Sequence, residues 1–158
     1  LRACGLVCAG TPVPGTGKFA APGIPMTRLA ELADYVLAEA DGSAGRPMKA
    51  HASHEPVLPP EANQTICVVG ACGFGRPIAE AVHRPALYAR LAELPETAPV
   101  TPSAEAAVLR AEALHDRVYV NQAETAEAMA SAAAAAGSAR RPRAACASWG
   151  GARTPAAT

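Results

Sequence analysis

Two apolar runs, with helical spacing between them, constrain this chain more than any other feature. Thr65–Gly70 (TICVVG) is rich in β-branched residues, which suit a pleated surface, and it reads as a strand. Arg117–Val120 (RVYV) reads as another. Between them, Pro85 can occupy the first turn of a helix reaching Leu94, with Leu87, Leu91 and Leu94 on one face. Ser103 can cap a second helix that carries Val108 and Leu114 and ends near His115. Strands separated by helices build a parallel sheet, because a parallel neighbour is reached only by a crossover connection.

The same rhythm extends outward. Gly5–Ala9 reads as a short buried strand and Gly10–Pro25 as a Pro/Gly loop. A helix from the cap Thr27 to Ala33 leads to a strand at Tyr35–Ala38, which ends in acidic residues and a turn at Asp41-Gly42. Ala44–Gln64 is proline-rich and reads as an ordered, irregular loop, a length that often carries function. After RVYV come a helix over Thr125–Ala136, stopped by Gly137, and an edge strand at Ala144–Ala147. These elements form one α/β domain over residues 1–149, followed by a flexible tail at 150–158.

Charge then narrows the partners. Fourteen basic and fourteen acidic residues cancel, so neither nucleic acid nor an acidic membrane surface has overall electrostatic support. The short basic run ARRPR (Ala139–Arg143) reads as a solvated linker. No stretch reaches the ~20 apolar residues of a membrane span. Leu1–Ala9 is too short for a signal peptide and prolines follow it at once. The five cysteines are odd in number and sit in apolar surroundings, which fits reduced thiols in a cytoplasmic protein.

VCAGTPVPGTGKFA (Val7–Ala20) looks at first like a phosphate-binding loop. The G-x-x-x-x-G-K-[ST] pattern requires a glycine where Pro12 stands and a hydroxyl where Phe19 stands, and prolines lack the N–H donors such a loop needs. The spacing fails. In a parallel sheet, ligands sit beyond the carboxyl ends of the strands, and two polar clusters fall there. Glu39 and Asp41 follow the Tyr35 run and suit Mg²⁺, which prefers oxygen ligands and keeps part of its water. A strand-end or turn aspartate is the plainer reading. Asn121, Gln122 and Glu124 follow RVYV, where GTP-binding proteins place N-K-x-D, although an ordinary strand-to-helix turn explains them too. Histidines 51, 54, 83 and 115 and the cysteines show no zinc-finger spacing, and no nucleophile elbow occurs.

One set of motifs is more specific than any of these. In order come E-A-D-G-S (Glu39–Ser43), K-A (Lys49-Ala50), H-E-P-V-L-P (His54–Pro59), the strand ICVVGACGFGRPI, V-H-R-P (Val82–Pro85), P-V-T-P (Pro99–Pro102) and V-N-Q-A-E. Together they resemble the YqeC family of accessory proteins for selenium-dependent hydroxylases. The resemblance implies a three-layer, P-loop-NTPase-like parallel sheet with helical crossovers. It implies a cytoplasmic role in maturing molybdenum-dependent hydroxylases, with that enzyme or its maturation machinery as partner. Mg²⁺ and a nucleoside triphosphate are the implied cofactors. By family position, Glu39 and Asp41 take the metal side and Asn121, Gln122 and Glu124 the base side. Lys49, His54, Glu55, His83 and Arg84 form a family-specific polar site, unless prolines fix these loops and the charges pair locally. The family's glycine-rich phosphate loop belongs before residue 1, so the expectation is an N-terminally truncated fold, a fragment or a degenerate member. No catalytic residue is named and enzymatic activity is left open. The alternative is a non-enzymatic interaction or maturation protein that holds a molybdenum hydroxylase or its cofactor through Lys49, His54 and His83.

Overall fold

In a computed structural model of the chain, residues 5–139 are described, with side chains through Ala135. The first element is a hairpin of β1 (Thr11–Val13) and β2 (Lys18–Ala20), paired antiparallel and exposed throughout. The expected Pro/Gly loop is therefore a small ribbon, with Gly15 and Gly17 supplying the positive φ its turn requires. Helix α1 (Met26–Leu32) starts at Pro25, whose fixed φ suits a helix entry, so Thr27 lies inside the helix rather than capping it.

Two of the expected strands are absent. Gly5–Ala9 pairs with nothing among the described residues, and Leu6 and Val7 are exposed. Tyr35–Ala38 has no regular structure and is unpaired, with Tyr35 87% and Leu37 92% exposed. A strand is a relation between two segments, and an apolar run with no partner beside it cannot become one.

The proline-rich loop instead hides a short strand, β3 (Met48–Lys49). It pairs parallel with β5 (Val82–His83), which follows helix α2 (Ile78–Ala81), and Ala50 N–H extends the ladder to the His83 carbonyl at 3.1 Å. Neither α2 nor β5 was expected, because both are too short to show a period. β4 (Ile66–Gly70) pairs parallel with β6 (Arg117–Asn121) in full register from Ile66–Arg117 to Gly70–Asn121. Between them run α3 (Pro85–Ala92) and α4 (Pro102–Glu112), as the spacing of the leucines and valines requires. Thr101, rather than Ser103, caps α4, its hydroxyl accepting from the Ala104 N–H at 3.1 Å with Pro102 in the first turn. Helix α5 (Ala126–Ala139) runs through Gly137 instead of stopping there. The expected strand at 144–147 and tail at 150–158 lie outside the described residues.

The fold is mixed α/β, with two two-stranded parallel sheets in place of one continuous sheet. A single backbone bond joins them among the described residues, from the Gly70 N–H to the Pro47 carbonyl at 2.7 Å. Gly70 permits this approach. A Cβ there would lie 2.8 Å from the Pro47 ring and 2.6 Å from the Gln122 amide oxygen. Alternate residues of a parallel strand face alternate neighbours. The Thr65 carbonyl accepts from the N–H groups of Asp116 and Arg117, on the β6 side. Thr65, Cys67 and Val69 therefore face β6, while Ile66, Val68 and Gly70 face the other way.

Met48, Val69, Ile78, Val82, Tyr88, Val100, Val108 and Leu109 form the buried core between the strands and α2–α4. At about 1.5–3 kcal/mol for each large apolar side chain fully buried, this small cluster is what holds the two half-sheets against the helices.

Candidate functional site

The acidic turn is held by a lysine. Lys49, on β3, is held by the loops around it: it donates to the Gly42 carbonyl at 2.9 Å and forms ion pairs with Asp41 Oδ2 at 2.5 Å and Glu55 Oε2 at 3.1 Å. Its side chain is only 8% exposed. Glu55 also receives Arg84, whose Nε reaches Oε2 at 3.2 Å and whose terminal nitrogen reaches Oε1 at 2.8 Å, a forked contact. Arg84 stands at the start of α3 in the left-handed region, with φ 66°, which turns the guanidinium back onto the 50s loop. The Arg84 hydrogen bonds, with Lys49 beside them, pull the Glu55 carboxyl down to about 2.

A second chain of contacts enters from α4. Glu112 accepts from the backbone N–H of His51 at 2.6 Å and meets its Nδ1 at 2.8 Å, and His51 Nε2 lies 3.3 Å from Asp41 Oδ2. The Glu112 hydrogen bond raises the His51 pKa above its ordinary value. Two turns earlier on α4, Glu105 is buried and accepts from the Tyr88 hydroxyl at 2.8 Å. Burial pushes Glu105 up to about 7 and raises Tyr88, and it pushes the nearby Cys67 thiol up to about 12.

The third cluster lies at the carboxyl ends of β4 and β6. Gln122 adopts φ 55°, a conformation that costs a non-glycine residue about 1 kcal/mol or more, and so swings its side chain back over Gly70. Its amide oxygen accepts from the Cys72 thiol at 3.0 Å. Beside it, the buried Asn121 Oδ1 has no hydrogen-bond partner among the described residues.

These clusters meet. A cleft of about 1200 Å³ is lined by Glu39, Asp41, Lys49 and His51 on one side and by Gly70, Cys72, Asn121 and Gln122 on the other. Glu124 lies elsewhere, exposed on the wall of a smaller pocket of about 620 Å³ beside α5. His54 is 73% exposed and 4.0 Å from Glu55. His83 lends only its backbone to the β3–β5 ladder. Among the described residues, no group of three or more His, Cys, Asp or Glu is placed to hold a metal ion.

Sequence reasoning missed His51 as a partner of Asp41, and it missed Glu105, Glu112 and Tyr88 altogether. The signal was present on α4, where Glu105, Val108, Leu109 and Glu112 follow the i, i+3, i+4, i+7 pattern of a buried face.

A mixed α/β chain with parallel strand ends opening on a polar cleft is the class that fold and site define. The family model described as YqeC protein matches residues 1–86, more than half of the chain, and the chain belongs to the YqeC family. That match contains Asp41, Lys49, His51, Glu55 and Arg84, and stops short of α4 and β6. Neither a curated protein nor a solved structure matches the chain. Among the described residues no helix is long and apolar enough to cross a membrane.

Proposed function

We propose that this YqeC-family chain is an accessory protein in the maturation of selenium-dependent molybdenum hydroxylases, and that its cleft takes a nucleotide with Mg²⁺. One observation carries the reading: the acidic turn at Asp41 lines the same cleft as the amide turn at Asn121-Gln122, which lies at the carboxyl end of the parallel strand β6. Asp41 supplies the metal-side carboxylate, with Glu39 two residues before it. Asn121 Oδ1, buried and unpartnered among the described residues, and the Gln122 amide offer hydrogen bonds to a base. Lys49 is already engaged by Asp41, so Mg²⁺ must displace its ammonium from Oδ2. Backbone donors carry much of the affinity in phosphate loops, and the Gly10–Ala20 stretch is a hairpin of the wrong spacing for that work. Binding by these residues alone is therefore weak. Calorimetric titration of the chain with Mg²⁺ and ATP or GTP tests this: weak saturable heat that vanishes in Asp41→Asn supports it. Heat that persists unchanged in that variant sets the metal side aside.

A second reading has its own support. The Lys49–Glu55–Arg84 group is satisfied internally, as a docking platform would be, and Tyr35 and Leu37 stand exposed beside the cleft. On this reading the chain holds a molybdenum hydroxylase or its cofactor without chemistry of its own. It then retains a purified hydroxylase in a pull-down with no nucleotide present, and Asp41→Ala leaves that retention intact.

A further inference from the structure

The two half-sheets part where β4 has backbone to spare. Ile66 and Val68 face away from β6, and no N–H or carbonyl of either is paired on that side among the described residues. Only Gly70, at the end of the strand, is taken, by Pro47. The gap between the half-sheets is thus pinched at Gly70 and open along Ile66 and Val68. Their side chains are 49% and 57% exposed. The irregular Tyr35–Ala40 stretch lines the same cleft, and its Leu37 is 92% exposed.

Donors and acceptors repeated every second residue, flanked by uncovered apolar side chains, match an extended peptide and little else. A nucleotide offers no such repeat, and a cleft of about 1200 Å³ exceeds the ~300–1000 Å³ of a small-molecule site, which leaves room for a peptide beside a ligand at the rim. Charge narrows the occupant further. Asp34, Glu39 and Glu61 also line the cleft and have no ion-pair partner among the described residues. The basic residues there are engaged: Lys49 by Asp41 and Glu55, Arg46 by the Glu80 carbonyl, and Arg76 by Glu80 at 3.9 Å.

We propose that the Ile66–Val69 edge of β4 is a strand-addition site, filled by an extended apolar segment of a partner protein that is flanked by lysine or arginine. The segment pairs with the backbone of Ile66 and Val68 and covers their side chains. Its basic flanks meet Asp34, Glu39 and Glu61. None of this requires a nucleotide, which belongs at the Asp41 and Gln122 rim.

The test uses the whole chain and a fluorescein-labelled heptapeptide of alternating valine and threonine with lysine at both ends. Expected are a saturable rise in anisotropy, weakened by salt, and hydrogen exchange slowed about tenfold or more at the Ile66 and Val68 amides. Val68→Asp weakens binding by about tenfold or more, since one charge is buried against the strand. Leu37→Asp, at a position exposed in the free chain, does the same and guards against a folding defect in the first variant. Absence of saturable binding overturns the proposal, as does binding that leaves both amides unprotected. Concentration-dependent dimerisation that protects the same amides without peptide also overturns it, because the occupant is then a second copy.

Discussion

Glu55 accepts from two cations at once, and the consequence is a signed dependence on pH. Its carboxyl sits at about 2 against an ordinary 4.5, so the unfolded chain takes up the proton first. The stability Glu55 contributes is present above pH 4.5 and is lost as the pH falls toward 2. Glu55→Gln should flatten that acid limb in far-UV circular dichroism. At neutral pH it should cost about 2–3 kcal/mol, below the 3–5 of a fully buried pair because Arg84 keeps access to water. Glu105 runs the opposite way. Burial raises it from 4.5 to about 7, so the folded chain holds a proton that the unfolded chain has released. Its contribution is largest below pH 4.5 and declines as the pH rises through 7. Glu105→Gln keeps an acceptor for the Tyr88 hydroxyl and should remove that decline, leaving the variant more stable than the parent at alkaline pH. Glu55 was legible because it stands inside the H-E-P motif. Glu112 was not, because its partner His51 lies 61 residues away and nothing in the chain between them marks the contact.

Strands and helices differed in how far the sequence revealed them. β4, β6, α3 and α4 were readable because each carries its own period or its own run of β-branched residues. The Tyr35 run has the same apolar character as β4 and fails as a strand, since no neighbour is placed to pair with it. β3 and β5 succeed with two residues each because Met48 and Val82 are buried in the core and bring their backbones together. Gly70 is the hinge between these outcomes. Gly70→Ala sets a methyl 2.8 Å from the Pro47 ring, and although the Gln122 side chain can move aside, a proline ring cannot. The variant should lose about 1–3 kcal/mol, read as a lower midpoint in thermal unfolding.

As a whole molecule, the chain keeps the strand–helix–strand unit that sequence reasoning expected and departs from it in the sheet. One continuous parallel sheet became two pairs joined at Pro47 and Gly70. Asn121 and Gln122 still line the cleft with Gly70, because β4 and β6 run parallel and end side by side. Asp41 reaches the same cleft by another route, held by Lys49 and His51 rather than delivered by a strand. Residue types at the rim were therefore readable from motif order, while the supports behind them, from α4 and the 50s loop, depended on packing. A ¹H–¹⁵N titration of the chain with Mg²⁺ and GTP or ATP examines the rim directly. The amides of Gly42 and Gln122 should shift together and saturate with one dissociation constant, because one ligand touches both turns. Shifts confined to one of the two, or saturating at different concentrations, would contradict a shared site.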